Sequence, residues 1–277
     1  MSVQEALREE AVQAPARRRS RSRWVLPVWS WLVILWLSSP IIVMIVFGFN
    51  DTTGKFNIRW QGFTLRWYRE LFTIPDLTQA LVNSLTISLI VTLIATALGT
   101  LMGVALGWYR FRGSGSVNLL LFANIAAPEV VLGAALLSLF LTLGVARGYW
   151  TIVIAQVMFS IAYVAMTVRA RMVGLDPALE EAARDLGAGP VATFFRVTLP
   201  LIMPGVLAGA LLTFALSIDD YIITSFNAGN TVTFALWVYG ASRVGVPPQV
   251  NVMGTLIFAG GVLLALLAAV ANRRKQA

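Results

Sequence analysis

The sequence contains no cysteine and no histidine. That removes disulfides, thiolate and imidazole metal sites, and every nucleophile or base arrangement built on either side chain. It also lacks a GxxxxGK(S/T) phosphate loop, so the chain has no recognisable cradle for a nucleoside triphosphate. Charge is scarce: only 12% of the 277 residues are Asp, Glu, Lys or Arg, about half the usual share in a soluble domain. What fills the space is apolar. With 58% hydrophobic residues and positive mean hydropathy, the composition is that of an integral membrane protein, not of a soluble enzyme with a buried core.

A spanning helix needs about 20 mostly apolar residues, because lipid cannot satisfy bare backbone groups. Six stretches qualify, at approximately 24–49, 78–107, 117–141, 149–168, 204–226 and 251–271, with a short turn around Gly144–Gly148 between the third and fourth. The expected architecture is all-α. One transmembrane domain covers 24–271, preceded by a basic arm, 1–23, expected to be loosely ordered, and followed by a basic tail, 272–277. If the N-terminus is inside, the segments on that side hold fifteen Lys and Arg residues and those outside hold six. The positive-inside rule then puts both termini in the cytoplasm. Most of the net charge of +8 follows from that topology and makes no case for nucleic acid.

Arg17, Arg18, Arg19, Arg21 and Arg23 precede the first apolar run, as they would in a signal peptide. The run is too long for that, and no small-residue cleavage site closes it, so an uncleaved span is expected with its arginines against anionic headgroups. Trp24, Trp29, Trp31 and Trp36 along this span read as lipid-facing or interfacial. Ala95, Gly99, Gly103 and Gly107 recur every fourth residue in the second span, as do Gly205 and Gly209 in the fifth, which predicts close helix packing there.

One polar insert, 169–203, interrupts the apolar pattern between the fourth and fifth spans. Asp176 and Pro177 offer a cap and a first-turn proline, and Glu180 and Glu181 place negative charge at the positive end of the helix dipole. Leu175, Leu179, Ala182, Ala183 and Leu186 make one apolar face, and Glu180, Arg184 and Asp185 a polar one. Gly187 stops this helix. Gly189 and Pro190 bar its continuation, and a second short helix, about 190–197, is expected to end before Pro200. Two short helices meeting at an angle form a knob that can seat in a groove of a soluble partner.

Charge within the spans is costly, on the order of 2.5 to 3.5 kcal/mol for an acid at mid-bilayer even on the lenient scale, so each such acid needs a partner, water or a transported ion. Glu129 follows Pro128 near the middle of the third span, where the proline predicts a kink toward a cavity. Asp219 and Asp220 sit together in the outer part of the fifth, followed by Tyr221. Neighbouring residues on a helix diverge by about 100°, so at most one aspartate can point straight into a pore while the other caps or pairs. Acids facing a cavity suit a cationic substrate, and Tyr221 adds a cation-π face. They can equally pair across helices or cap a broken one.

Glu181, Ala182, Ala183 and Gly187, then Val197, Leu199 and Pro200, resemble the EAA loop of ABC importer permeases, with Val197 where isoleucine is commoner. ALSIDDYIITSFNAGN (215–230), VYGASRVGVPPQVNVMGTL (238–256), APEVVLG (127–133) and Asn83, Ser84 and Leu85 are similar to the second permease subunit of spermidine/putrescine importers. The resemblance covers all but the first twenty or so residues. It implies the type I importer fold with six spans and a coupling-helix loop, an inner-membrane location in a bacterium, and no cofactor in this chain, with Mg-ATP held elsewhere. It also implies partners: two copies of an ATPase, a homologous second permease and an external binding protein. Coupling to the ATPase would fall on Glu181, Ala182, Ala183, Gly187, Leu199 and Pro200, and the substrate pathway on Glu129, Asp219, Asp220 and Tyr221, with no catalytic or metal residue. Other readings stay open at this point: an importer of neutral or anionic solutes, an ion-coupled secondary transporter or channel, and a membrane enzyme restricted to Ser, Asp and Glu chemistry.

Overall fold

The computed structural model describes residues 25–274, apart from residues 55, 110 and 177. The basic arm, the first-turn role of Pro177 and the last three residues of the tail therefore lie outside the described residues. The chain divides into two compact units, Met1–Val46 and Phe47–Ala277. The first holds nearly all of helix α1 (Val25–Phe47). Pro40 within it has no amide to give the Trp36 carbonyl, and the Ser39 hydroxyl donates to that carbonyl at 2.8 Å instead. A proline is thus carried in a span without a bare carbonyl in lipid.

The second unit comprises α2 (Arg66–Arg69), α3 (Pro75–Trp108), α4 (Ser114–Ala126), α5 (Glu129–Thr142), α6 (Tyr149–Met172), α7 (Ala178–Asp185), α8 (Pro190–Thr193), α9 (Leu199–Asp219), α10 (Ile222–Asn227), α11 (Phe234–Ala241) and α12 (Pro248–Arg274). The fold is all-helical, with one isolated antiparallel bridge, Asn50–Phe63, among the described residues. Five helices are long and apolar enough to cross a membrane, or six if α4 and α5 count as one bent span.

Helices α3, α6 and α9 pack together as the central trio, and glycine explains how closely. A Cβ at Gly99 would lie 2.6 Å from the Val164 Cβ, and one at Gly103 only 2.7 Å from the Ala165 carbonyl oxygen. From α9, a Cβ at Gly205 would come within 2.8 Å of the Arg171 Cβ, and one at Gly209 within 3.3 Å of the Val164 Cγ1. Both glycine stripes anticipated from the sequence therefore press on the same helix, α6. Around them Val104, Val164, Val168, Met172, Ile202 and Val206 form a buried cluster against which Leu175, Phe194 and Leu199 also pack. Dispersion between closely approaching backbones is what holds such a trio in lipid, where burial of apolar surface drives nothing.

The structure corrects three boundaries. The third span is not one kinked helix over 117–141: α4 and α5 meet at 110°. Proline pushes the residue before it out of the α region, and Ala127 (φ −71°, ψ 137°) and Pro128 (φ −60°, ψ 131°) are both extended, so the helix breaks outright. The fifth span ends at Asp219 instead of running to 226, because Asp220 (ψ 114°) leaves the helical region and starts α10 anew. The second loop helix does not end before Pro200 either. A π turn, Phe194–Thr198, carries α8 into α9, with the Leu199 amide reaching the Phe194 carbonyl five residues back. The wider turn makes room for a proline ring that an α-helix would not accept there.

Outside the bundle, the segment between α1 and α2 is knotted by Asn50, which is fully buried. Its amide donates to the Asn57 side chain and the Arg59 carbonyl, both at 2.7 Å, and its carbonyls accept from the Gln61 amide and the Trp67 indole, also at 2.7 Å.

Candidate functional site

Two regions hold the residues that the sequence singles out. The first is a cavity of about 570 Å³ bounded by the end of α9 and by α11 and α12, lined by Asp219, Tyr221, Phe234, Val238 and Tyr239 among others. Asp219, the last residue of α9, is exposed and makes no ion pair among the described residues. The rings of Tyr221 and Tyr239 lie 4.3 Å apart between centroids. Arg243 donates to the Tyr239 hydroxyl at 2.7 Å and stands 4.9 Å above that ring. This hydrogen bond holds the Tyr239 phenol below its ordinary pKa. The guanidinium is thereby turned onto the tyrosine, leaving the carboxylate of Asp219 as the one free acidic group on the cavity wall.

Asp220 does not line this cavity. Its carboxylate accepts from the amides of Ile223 (3.2 Å) and Thr224 (2.9 Å), from the Thr224 hydroxyl (2.6 Å) and from the Gln156 amide (3.2 Å). It caps α10, which stabilises the acid beside a helix N-terminus and leaves it little capacity for a ligand. Glu129 is not brought to the cavity either: it is exposed in the first turn of α5, beyond the break at Pro128. Of the four expected pathway residues the structure unites Asp219 and Tyr221 alone.

Gln156 is a residue the sequence reading passed over. It is 2% exposed at the middle of the α6–α9–α10 junction, giving its amide to Thr224 (2.9 Å) and accepting from the Ser217 hydroxyl (2.5 Å). The signal was available, since it is the sole carboxamide in the 149–168 run and such groups join helices in membranes.

The second region is the loop 169–203. The Asp176 carboxylate accepts from the Ala178 amide at 3.0 Å, as a cap should. Gly187 closes α7 at φ 86°, with nothing within 4 Å of where its Cβ would be. Glu181, Ala182 and Gly187 are exposed and Ala183 is half-buried. Leu186 and Val191 are 89% and 71% exposed, an apolar surface outside the bundle that none of the described residues covers. Leu199 instead packs into the central cluster, and Pro200 is exposed at the start of α9.

Glu180 departs from the polar face expected for it. Its Oε1 accepts from the Thr198 hydroxyl at 2.5 Å while Oε2 faces Arg184 at 3.3 Å, and Thr198 is fully buried. One carboxylate thus fastens α7 to the turn that leads into α9.

Residues 95–276 match the family model of the binding-protein-dependent transport system inner membrane component. The chain belongs to this family. The permease is 35% identical to the spermidine/putrescine transport system permease protein PotC of Haemophilus influenzae, over 88% of this chain and 95% of that protein. It is 37% identical to the putrescine transport system permease protein PotI of Escherichia coli, over 86% of each. Among solved structures it resembles a bacterial ABC transporter involved in the import of alginate, with a TM-score of 0.67 at 15% identity over 91% of this chain and 96% of that one. The fold is that of type I ABC permeases. Membership makes this chain an inner-membrane transport component and not an enzyme, and it implies ATPase and substrate-binding partners.

Proposed function

We propose that this permease forms half of the pathway by which a polyamine such as spermidine or putrescine is imported, driven by ATP hydrolysis on separate subunits. The observation that carries the reading is a cavity lined by Asp219, a carboxylate without an ion pair among the described residues, and by the tilted, closely spaced rings of Tyr221 and Tyr239. A carboxylate and aromatic faces are what an alkylammonium needs to replace its water. The names of the relatives at 35% and 37% identity support the same cargo class.

The rest of the machine follows from the loop. Two copies of an ATPase, carrying the Mg-ATP for which this chain has no cradle, dock one on this loop and one on a homologous second permease. The contact is made by Glu181, Ala182, Ala183, Gly187 and the bare apolar surface of Leu186 and Val191. Leu199 and Pro200 transmit the motion from just behind it. With both termini in the cytoplasm, the loop lies inside and the segments 50–77 and 227–250 face an external binding protein. Closure of the ATPases shifts the loop, and Glu180, Leu199 and the π turn pass that shift to α6 and α9 as levers, so the cavity exchanges the side to which it opens.

The test is uptake by the complete complex in vesicles, with its binding protein, offered polyamines and neutral or anionic solutes of similar size. Asp219→Asn is expected to lower polyamine uptake about tenfold, the order of one charge-assisted hydrogen bond, while basal ATP hydrolysis is unchanged. Uptake at the wild-type rate would remove Asp219 from the pathway, and uptake of a neutral or anionic solute alone would discard the cargo. Glu180→Gln probes the lever separately. It trades a charged acceptor for a weaker one at a buried hydroxyl, at a cost of about 1 kcal/mol, so ATP hydrolysis is expected to persist with fewer molecules imported per ATP. An unchanged ratio would mean that the Glu180–Thr198 bond carries no motion.

A further inference from the structure

We propose that a second cavity, of about 450 Å³ on the other face of α11, is an outer station where the cargo's ammonium groups bind before reaching Asp219; this rests on the polyamine reading above. It is bounded by the first turns of α3, the start of α6, the loop after α10, and α11. Asp76, Gln79, Tyr149, Asn230, Thr231 and Trp237 supply its chemistry.

The wall is more polar than that of the cavity at Asp219, and its single charged group is negative. Asp76 makes no ion pair and accepts no side-chain hydrogen bond among the described residues. Carboxamide and hydroxyl oxygens stand beside it, with the faces of a tyrosine and a tryptophan. An ammonium group finds there a counter-charge, acceptors and π surfaces, whereas the one charge on the wall, Asp76, repels an anion. The same set of one free carboxylate and two polar-tipped aromatics recurs in the cavity at Asp219. Helix α11 belongs to both: Trp237 lines one, and Phe234, Val238 and Tyr239 line the other.

The site is also preformed, as ligand sites usually are. The Asn83 amide donates to the Val232 carbonyl at 2.9 Å, and the Phe234 amide donates to the Ser84 hydroxyl at 2.9 Å. Gly229, at φ 56°, sits so close to Arg147 that a Cβ would fall 2.4 Å from its carbonyl oxygen. The loop bearing Asn230 and Thr231 is thereby pinned on both flanks, and both residues line a cavity that none of the described residues fills.

The experiment is equilibrium binding of radiolabelled spermidine to the purified transporter complex in nanodiscs, without the binding protein, with 1,5-pentanediol as the uncharged control. Asp76→Asn is expected to weaken spermidine binding by about tenfold and Asp76→Glu to restore most of it. Asn230→Asp, which adds a second carboxylate at an exposed position, is expected to tighten binding about threefold, a direction that structural damage does not produce. Binding unaffected by both Asp76→Asn and Asn230→Asp would overturn the outer station, as would equal competition by the diol. Vesicle uptake separates this from the underlying reading. If the complete wild-type system imports no polyamine, both fall; if it does and these variants bind as wild type, only the outer station falls.

Discussion

Gly103→Leu should leave almost no assembled transporter in the membrane. A Cβ at this position would sit 2.7 Å from the backbone oxygen of Ala165 and 2.9 Å from the Val168 Cβ, and no rotamer of the new side chain moves that first carbon. Overpacking in a core costs about 1 to 3 kcal/mol when side chains can yield; here backbone stands in the way, so α3 and α6 must separate. That separation would also loosen the cluster of Val104, Val168 and Met172. Against a total stability of about 5 to 15 kcal/mol, detergent-extracted complex is expected at less than about a tenth of the wild-type yield. Gly115→Leu is the control, since nothing lies within 4 Å of that position. Recovery of Gly103→Leu at the level of the control would show that α3 and α6 are not held by this approach.

Gly187→Asp, by contrast, should fold and fail. The position lies at φ 86°, where a side chain costs about 1 to 2 kcal/mol, but Gly187 is exposed and no described residue lies within 4 Å of a Cβ placed there. The injury is aimed at whatever seats on the loop. A charge and added bulk between Gly187 and a docked groove are expected to remove cargo-stimulated ATP hydrolysis and at least about nine-tenths of uptake, since an unpaired buried charge costs several kcal/mol. Gly113→Asp separates strain from docking. That glycine has φ 95° and equally open surroundings, at the start of α4, so it bears similar strain away from the loop. Stimulated hydrolysis surviving in Gly187→Asp, or lost equally in Gly113→Asp, would end the docking assignment for this glycine.

What could be read ahead of the structure was whatever depends on local composition or period. Apolar length exposed the spans, glycine at every fourth residue marked the faces of α3 and α9 that pack closely without naming α6 as their shared partner, and Asp176 and Gly187 marked both ends of α7. What escaped depends on how a break resolves in three dimensions. Pro128 announces a disturbance, but a mild kink and the 110° corner have the same sequence signature. Asp219 and Asp220 are chemically alike, and only the end of α9 between them decides that one lines a cavity while the other caps α10. Glu180 looked like ordinary surface charge because its partner, Thr198, lies eighteen residues on and is brought back by the loop. The π turn has no composition of its own, and Pro200 reads as a stop.

Helix α6, held between two glycine stripes, also sets an order for the chain's synthesis. Its first stripe, on α3, has already been made when α6 emerges, so that pair can close at once; its second, on α9, comes later. A nascent chain halted before Leu199 would therefore hold a tight α3–α6 pair without the cover that Gly205 and Gly209 bring to it. That open flank distinguishes an unfinished permease from a finished one.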